Sequence, residues 1–474
     1  MDDVLKMYDA CNLVTPRDVR VDTHVNGIPN NSDTRENASA SRGDYACAQD
    51  KSDHDEIRLF RKLDLRVLPV LWFMYFSSLA DRGALAQARL NSLEDDLHMR
   101  GNNFNIAISI LTVGYVLTQV PSNMLLTRVR PGLYLALVMF FFACTRLVNS
   151  YESLIACRFL LGFFEAPIDL ASRIVLLDTS RMAGLSFANL IAAGVFEGLE
   201  GARGLRGWRW LFIIEGAASG VTALAVSWLL PDTNETTRWL SQEEREIARI
   251  RMQREQVIDT QEHEPLLSAL QSALRDPRMW LFCAMENFHF GEHTFTNFLP
   301  TVVRDLGFTS TAAFLLTCLP YVFACIVLLF FAWSLGRFCE CTIYITIGFI
   351  IAIIGFVAAT STLDVAGRYV VCFVFSAGAF SASSIIIGWT ATTMSQSQGK
   401  KSVALALLNV SGQISQIYGA YFWPESDGPR YVIGFSTSAA FSVLSLICSW
   451  IMRCQLKRQN RQLQQSAGEG TVNL

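Results

Sequence analysis

Runs of about twenty mostly apolar residues recur along this chain, and nothing else limits its fold so tightly. A helix needs about 20 such residues to cross the hydrocarbon of a bilayer, where a helix satisfies its own backbone hydrogen bonds. Candidate spans fall at 67–88, 105–126, 132–148, 153–177, 182–199, 209–230, 279–300, 312–334, 342–360, 368–390, 402–423 and 432–452. A charged stretch at 232–278 divides these twelve into six and six. Charged residues make up only 17% of the 474 residues, against about 25% in a soluble protein. They concentrate in the first 66 residues, in 232–278 and after 452. The expected organisation is a disordered N-terminus (1–57), a six-helix bundle (58–231), a central linker (232–278), a second bundle (279–453) and a short tail (454–474).

Other classes find little support. A net charge of −3 makes no case for nucleic-acid binding. Many of the 12 Cys lie inside apolar runs, where they read as small core residues rather than a disulfide framework. The chain carries no CxxC pair, phosphate-cradling Gly loop or nucleophile elbow, so neither an enzyme nor a cofactor is expected. Met1 to Asp55 is polar and Asn/Asp/Ser-rich, unlike a signal peptide. In the linker, Ser241 and Glu244 form a capping box ahead of a short surface helix. Lys and Arg in the short connections (Arg128, Arg130, Arg337, Lys400, Lys401, Lys457, Arg458, Arg461) place both termini in the cytosol. Arg203, Arg206 and Arg209 fall on the other side and read as interfacial, flanked by Trp208 and Trp210. The tightest region lies between Ser153 and Phe196, where Asp178-Thr-Ser-Arg181 is the best candidate for a turn between spans four and five.

Charges inside spans are costly and usually mark a pathway for an ion or substrate. Asp81 and Arg82 sit in the first span, and Arg158 and Glu165 in the fourth. Arg158 and Glu165 are seven apart and share one helix face, together with Gly162, which permits close approach. A guanidinium fork binds a carboxylate, and a carboxyl group in a low-dielectric cavity can take a proton near neutral pH. These residues are therefore a minimal kit for coupling an anion to a proton. Ion pairs that lock helices together are the other reading.

Span seven carries Glu286, His289, His293 and Asn297 at i, i+3, i+7 and i+11, a helical stripe suited to relaying protons or contacting an anion. Glu292 lies off that stripe. The His-x-x-x-His spacing is compatible with a metal, but the sequence shows no third ligand, so none is expected. In span eleven Asn409 and Gln413 are i, i+4 and can bond a substrate or a neighbouring helix, as can Tyr115 and Gln119 in span two.

Several motifs now line up: Arg61-Lys-Leu-Asp-Leu-Arg66, Asp81-Arg82, Val120-Pro-Ser-Asn-Met-Leu-Leu, Arg158-Phe-Leu-Leu-Gly-Phe-Phe-Glu165-Ala, Gly207-Trp-Arg-Trp-Leu-Phe-Ile-Ile-Glu-Gly216 and Trp423-Pro-Glu-Ser-Asp-Gly-Pro-Arg-Tyr431. In this order they resemble the fungal anion:cation symporter branch of the major facilitator superfamily, which includes allantoate and nicotinate permeases. The resemblance covers roughly residues 58–455. It implies an all-α major facilitator fold and alternating access around a central cavity, with Asp81 and Glu165 as proton carriers. It also implies Arg82 as a partner of the acids and Arg158 as an anion-binding or coupling residue. The expected activity is proton-coupled uptake of a small organic anion by a monomer in the plasma membrane. Arg82, Arg158, His289, His293, Asn297, Asn409 and Gln413 are the candidate substrate contacts. Two departures stand out. About 17 residues are missing after Glu165, and Ser334-Leu-Gly-Arg337 replaces a usual Ser-Asp-Arg. A transporter serving a fungal secondary-metabolite pathway and an inactive paralogue are the alternatives.

Overall fold

The computed structural model describes residues 69–126 except 71, 150–165, 174–229, 242, and 266–469 except 339, 363 and 395–397. Eleven long helices lie among them. They are α1 (72–89), α2 (Asn103–Leu126), α3 (Tyr151–Glu165), α4 (Ile174–Gly198), α5 (Gly207–Leu229), α6 (Pro277–Glu292), α7 (Ser310–Phe338), α8 (Cys341–Ser361), α9 (Val365–Thr393), α10 (Gln398–Gly419) and α11 (Val432–Glu469). They correspond to the first, second and fourth to twelfth expected spans. The third span, the capping box and the N-terminal 57 residues lie outside the described residues, as do 166–173.

The helices are apolar on two faces because they meet two apolar surroundings. In α8 the buried set is Thr342, Ile345, Gly348, Phe349, Ala352, Gly355, Phe356 and Ala359, a 3.6-residue stripe facing the protein. Ile343, Ile347, Ile350, Ile354 and Val357 point away from it, as lipid-facing residues do. Among the described residues, four helical segments have both the length and the composition to cross a membrane: Ser310–Leu335, Cys341–Ser361, Val365–Thr393 and Val432–Gln459, with mean hydropathy from 1.8 to 2.6. Between α8 and α9 the backbones nearly touch, for a Cβ on Gly378 would stand 2.3 Å from the Ala352 nitrogen. Aromatic rings fill the centre of this half, with Phe295, Phe356, Phe375, Phe380 and Phe435 in mutual contact.

Helix starts follow local chemistry. Asp276 caps α6 by accepting from the Arg278 amide at 3.0 Å, with Pro277 at the first helical position. Asp364 caps α9 through the Gly367 amide at 2.8 Å. Ahead of α6 the short helix Leu266–Arg275 buries Ala269 and Ala273.

One expectation is corrected. Asp178-Thr-Ser-Arg181 is no turn: α4 runs unbroken through it from Ile174 to Gly198. The segment has no Gly or Pro to break a helix, and an acid three residues before a base supports one. Trp208, which flanks the arginines read as interfacial, faces the protein. It is fully buried and donates its indole N–H to Asp96 at 2.8 Å, while Arg206 pairs with the same carboxylate at 3.1 Å.

Candidate functional site

Two buried polar clusters lie inside the helices. The first joins α1, α3 and α5. Asp81 is 4% exposed and accepts from the Ser219 hydroxyl at 2.7 Å; one turn away, Ser77 and Thr222 are 3.4 Å apart. Glu215 is buried one turn before Ser219, and Arg158 is near enough to act on its charge. Sequence reasoning passed over Glu215, although a single acid in the Gly207–Gly216 motif was a visible signal. Arg82 diverges from Asp81, as neighbours on a helix must, and lies over the Tyr115 ring at 5.3 Å. The Tyr115 hydroxyl in turn accepts from Asn409 at 3.1 Å, which links the first cluster to α10. Gly162 serves helix packing: a Cβ there would sit 1.9 Å from the Leu111 carbonyl oxygen. Glu165 ends α3, and its side chain lies outside the described residues.

The second cluster bridges α4, α6, α9 and α11. Asp178 accepts from Ser383 at 3.4 Å. Arg181 lies over the rings of both Phe290 and Phe380 at 5.4 Å, a cation–π sandwich, and its charge reaches Asp178, Glu286, His289 and His293. Sequence analysis assigned Asp178 and Arg181 to a turn and so missed both. Once α4 is continuous, their i, i+3 spacing puts them on one helix face.

The stripe on α6 holds as far as His293 and then changes. The α-helix ends at Glu292 and continues as a 3-10 helix over His293–Asn297. The tighter winding takes Asn297 off the stripe, where it is half-buried. Glu292, which the α-helical spacing sets aside, is central instead. His289 Nδ1 lies 3.0 Å from its Oε1, His293 Nδ1 lies 4.0 Å from the same atom, and Ser442 of α11 donates to Oε2. His293 Nδ1 also donates to the His289 carbonyl at 2.8 Å. Gln413 is buried in α10. Its neighbours bind helices: Ser411 donates to the Cys283 carbonyl at 2.8 Å, and Gln416 to that of Phe290.

The two halves meet at further points. Ser109 donates to the Ile417 carbonyl at 2.9 Å, Cys318 donates to that of Ser186 at 3.1 Å, and the Phe196 and Phe314 rings are 5.5 Å apart. The sequence profile of the Major Facilitator Superfamily matches residues 71–420. The chain belongs to that family. MFS-type transporter efuF of Hormonema carpetanum is 30% identical over 418 residues, 83% of each chain. An uncharacterized transporter of Schizosaccharomyces pombe is 29% identical over 455 residues, 90% of this chain and 88% of its own. The proton:xylose symporter XylE, bound to 6-bromo-6-deoxy-D-glucose, aligns with a TM-score of 0.63 at 12% identity over 83% of this chain and 95% of its own. This major facilitator protein is thus a multi-pass membrane secondary transporter rather than an enzyme. Its buried charges are the parts of such a fold on which a solute or a coupled ion can act.

Proposed function

We propose that this transporter imports a small organic anion, a carboxylate or vitamin-like acid, together with protons, as a member of the fungal anion:cation symporter branch. The observation that carries this reading is Arg181, a half-buried guanidinium over the Phe290 and Phe380 rings where α4 meets α6 and α9. In so apolar a setting a guanidinium is a strong, two-pronged ligand for a carboxylate. Arg158 and Arg82 supply further positive charge in the N-terminal half. Asp81 and Glu165 carry the coupled proton, with Glu215 beside Arg158 as a third acid. His289, His293, Asn297, Asn409 and Gln413 face the anion from the C-terminal half. The bundles 58–231 and 279–453 rock about this centre in a monomer with both termini in the cytosol of the plasma membrane.

The test is uptake of labelled small carboxylates by yeast cells expressing the chain, with and without a protonophore. Proton-dependent accumulation that Arg181→Ala abolishes, at equal surface expression, supports the reading. Uptake indifferent to both the protonophore and Arg181 contradicts it.

A further inference from the structure

We propose that His289, Glu292 and His293 form a binding site for a divalent first-row transition-metal ion of the zinc or cobalt kind. All three side chains are completely buried, and one potential ligand atom from each lies within 4.8 Å of the others. The His289 and His293 rings stand edge to face with centroids 4.5 Å apart.

The hydrogen bonds prepare the imidazoles for a metal. His293 Nδ1 faces a carbonyl, which only accepts, so the proton sits on Nδ1. That leaves a bare lone pair at His293 Nε2, which has no hydrogen-bond partner among the described residues. His289 Nδ1 and Glu292 Oε1 face each other across 3.0 Å, close enough for one ion to take the place of the proton between them. A metal-ligating histidine shows the arrangement of His293, with its far N–H held by a backbone carbonyl.

Charge points the same way. Glu292 has no exposed surface, and it contacts Ser442 and the two imidazoles. Asp178 and Glu286 add two buried acids within reach of Arg181. Two imidazole nitrogens with a carboxylate are also a donor set that zinc accepts, with a fourth position open to water or to a transported carboxylate. In the sequence the third ligand was hidden because Glu292 lies off the His289/His293 stripe. The site is closed in this conformation, so an ion enters when the transporter changes state. This proposal does not depend on which solute is carried.

The experiment uses the full chain, purified in detergent with a tag free of histidine, stripped with chelator and reloaded with Zn2+ or Co2+. Wild type is expected to retain about one ion per chain after desalting, to show a visible Co2+ ligand-field spectrum, and to melt at a higher temperature with the ion. His289→Ala, His293→Ala and Glu292→Gln are each expected to weaken binding by about 100-fold, and Ser442→Ala by about 10-fold, since outer partners matter less than ligands. His98→Ala, at an exposed position, is expected to bind as wild type does. Should the ligand variants fail to fold, Ser442→Ala and the wild-type melting shift decide the matter. Substoichiometric binding by wild type, an unchanged melting temperature, or equal retention by the ligand variants would overturn the proposal.

Discussion

Ser219 donates its hydroxyl to the buried Asp81 carboxylate across 2.7 Å, tying α5 to α1 at the acid proposed to carry the proton. Removing the hydroxyl withdraws one hydrogen bond from a desolvated carboxylate, a loss of about 1–3 kcal/mol. Ser219→Ala is therefore expected to lower the melting temperature, and Ser219→Thr to restore part of it. If Asp81 loads protons, Ser219→Ala also shifts the pH at which transport is half-maximal. Thermal melts and uptake–pH profiles check the two effects separately.

Gly162 permits α2 and α3 to touch at Leu111, where an added Cβ would stand 1.9 Å from a carbonyl oxygen. A helical alanine is ordinarily preferred over glycine by about 0.5–1 kcal/mol. Here the clash is with backbone, which cannot swing aside, so overpacking of about 1–3 kcal/mol or more prevails. Gly162→Ala is expected to reduce folded yield and melting temperature. In contrast, the exposed Gly194 has open space at its Cβ, and Gly194→Ala is expected to be neutral or mildly stabilising.

Asp276 caps α6 and also joins Lys400 at 2.9 Å and Arg278 at 2.7 Å. Burial works against its charge, but the hydrogen bonds from Arg278 and Lys400 prevail and hold its carboxyl below the usual range. A carboxyl lowered on folding stabilises the fold above its unfolded value of about 4, and that contribution fades as pH falls through the folded value. Asp276→Asn keeps the cap and loses the ion pairs, so its deficit against wild type is expected to be full near neutrality and to shrink in acid. Asp276→Ala loses the cap too, at a further cost of about 1 kcal/mol. Melting temperature followed against pH distinguishes the two variants.

Most of the fold was legible in the sequence because lipid and protein interior both demand apolar residues, and twelve long runs admit few other outcomes. The site was legible only in part. Asp81, Arg158 and His289 announce themselves as polar groups in apolar runs. Asp178 and Arg181 do not, since a polar quartet in a crowded region reads as a turn until tertiary contacts bury it. Glu292 was set aside because it lies off the Glu286/His289/His293 stripe, and its partner Ser442 is 150 residues away.

Arg181 tests the anion site itself. A fork lost from a buried carboxylate contact costs about 1.5–3 kcal/mol, or roughly 10–100-fold in affinity. Arg181→Lys keeps the charge without the fork and is expected to raise the KM for the anion, whereas Arg181→Ala is expected to abolish uptake. Equal effects of the two substitutions would make Arg181 a structural residue.

The most direct measurement of the central claim is acid-pulsed uptake of a labelled carboxylate into yeast expressing wild type or Asp81→Asn at matched surface levels. Coupled transport predicts that wild-type uptake rises when the medium is acidified and that Asp81→Asn loses this response. Wild-type uptake unchanged by the acid pulse, with Asp81→Asn indistinguishable from it, would contradict proton coupling through this site.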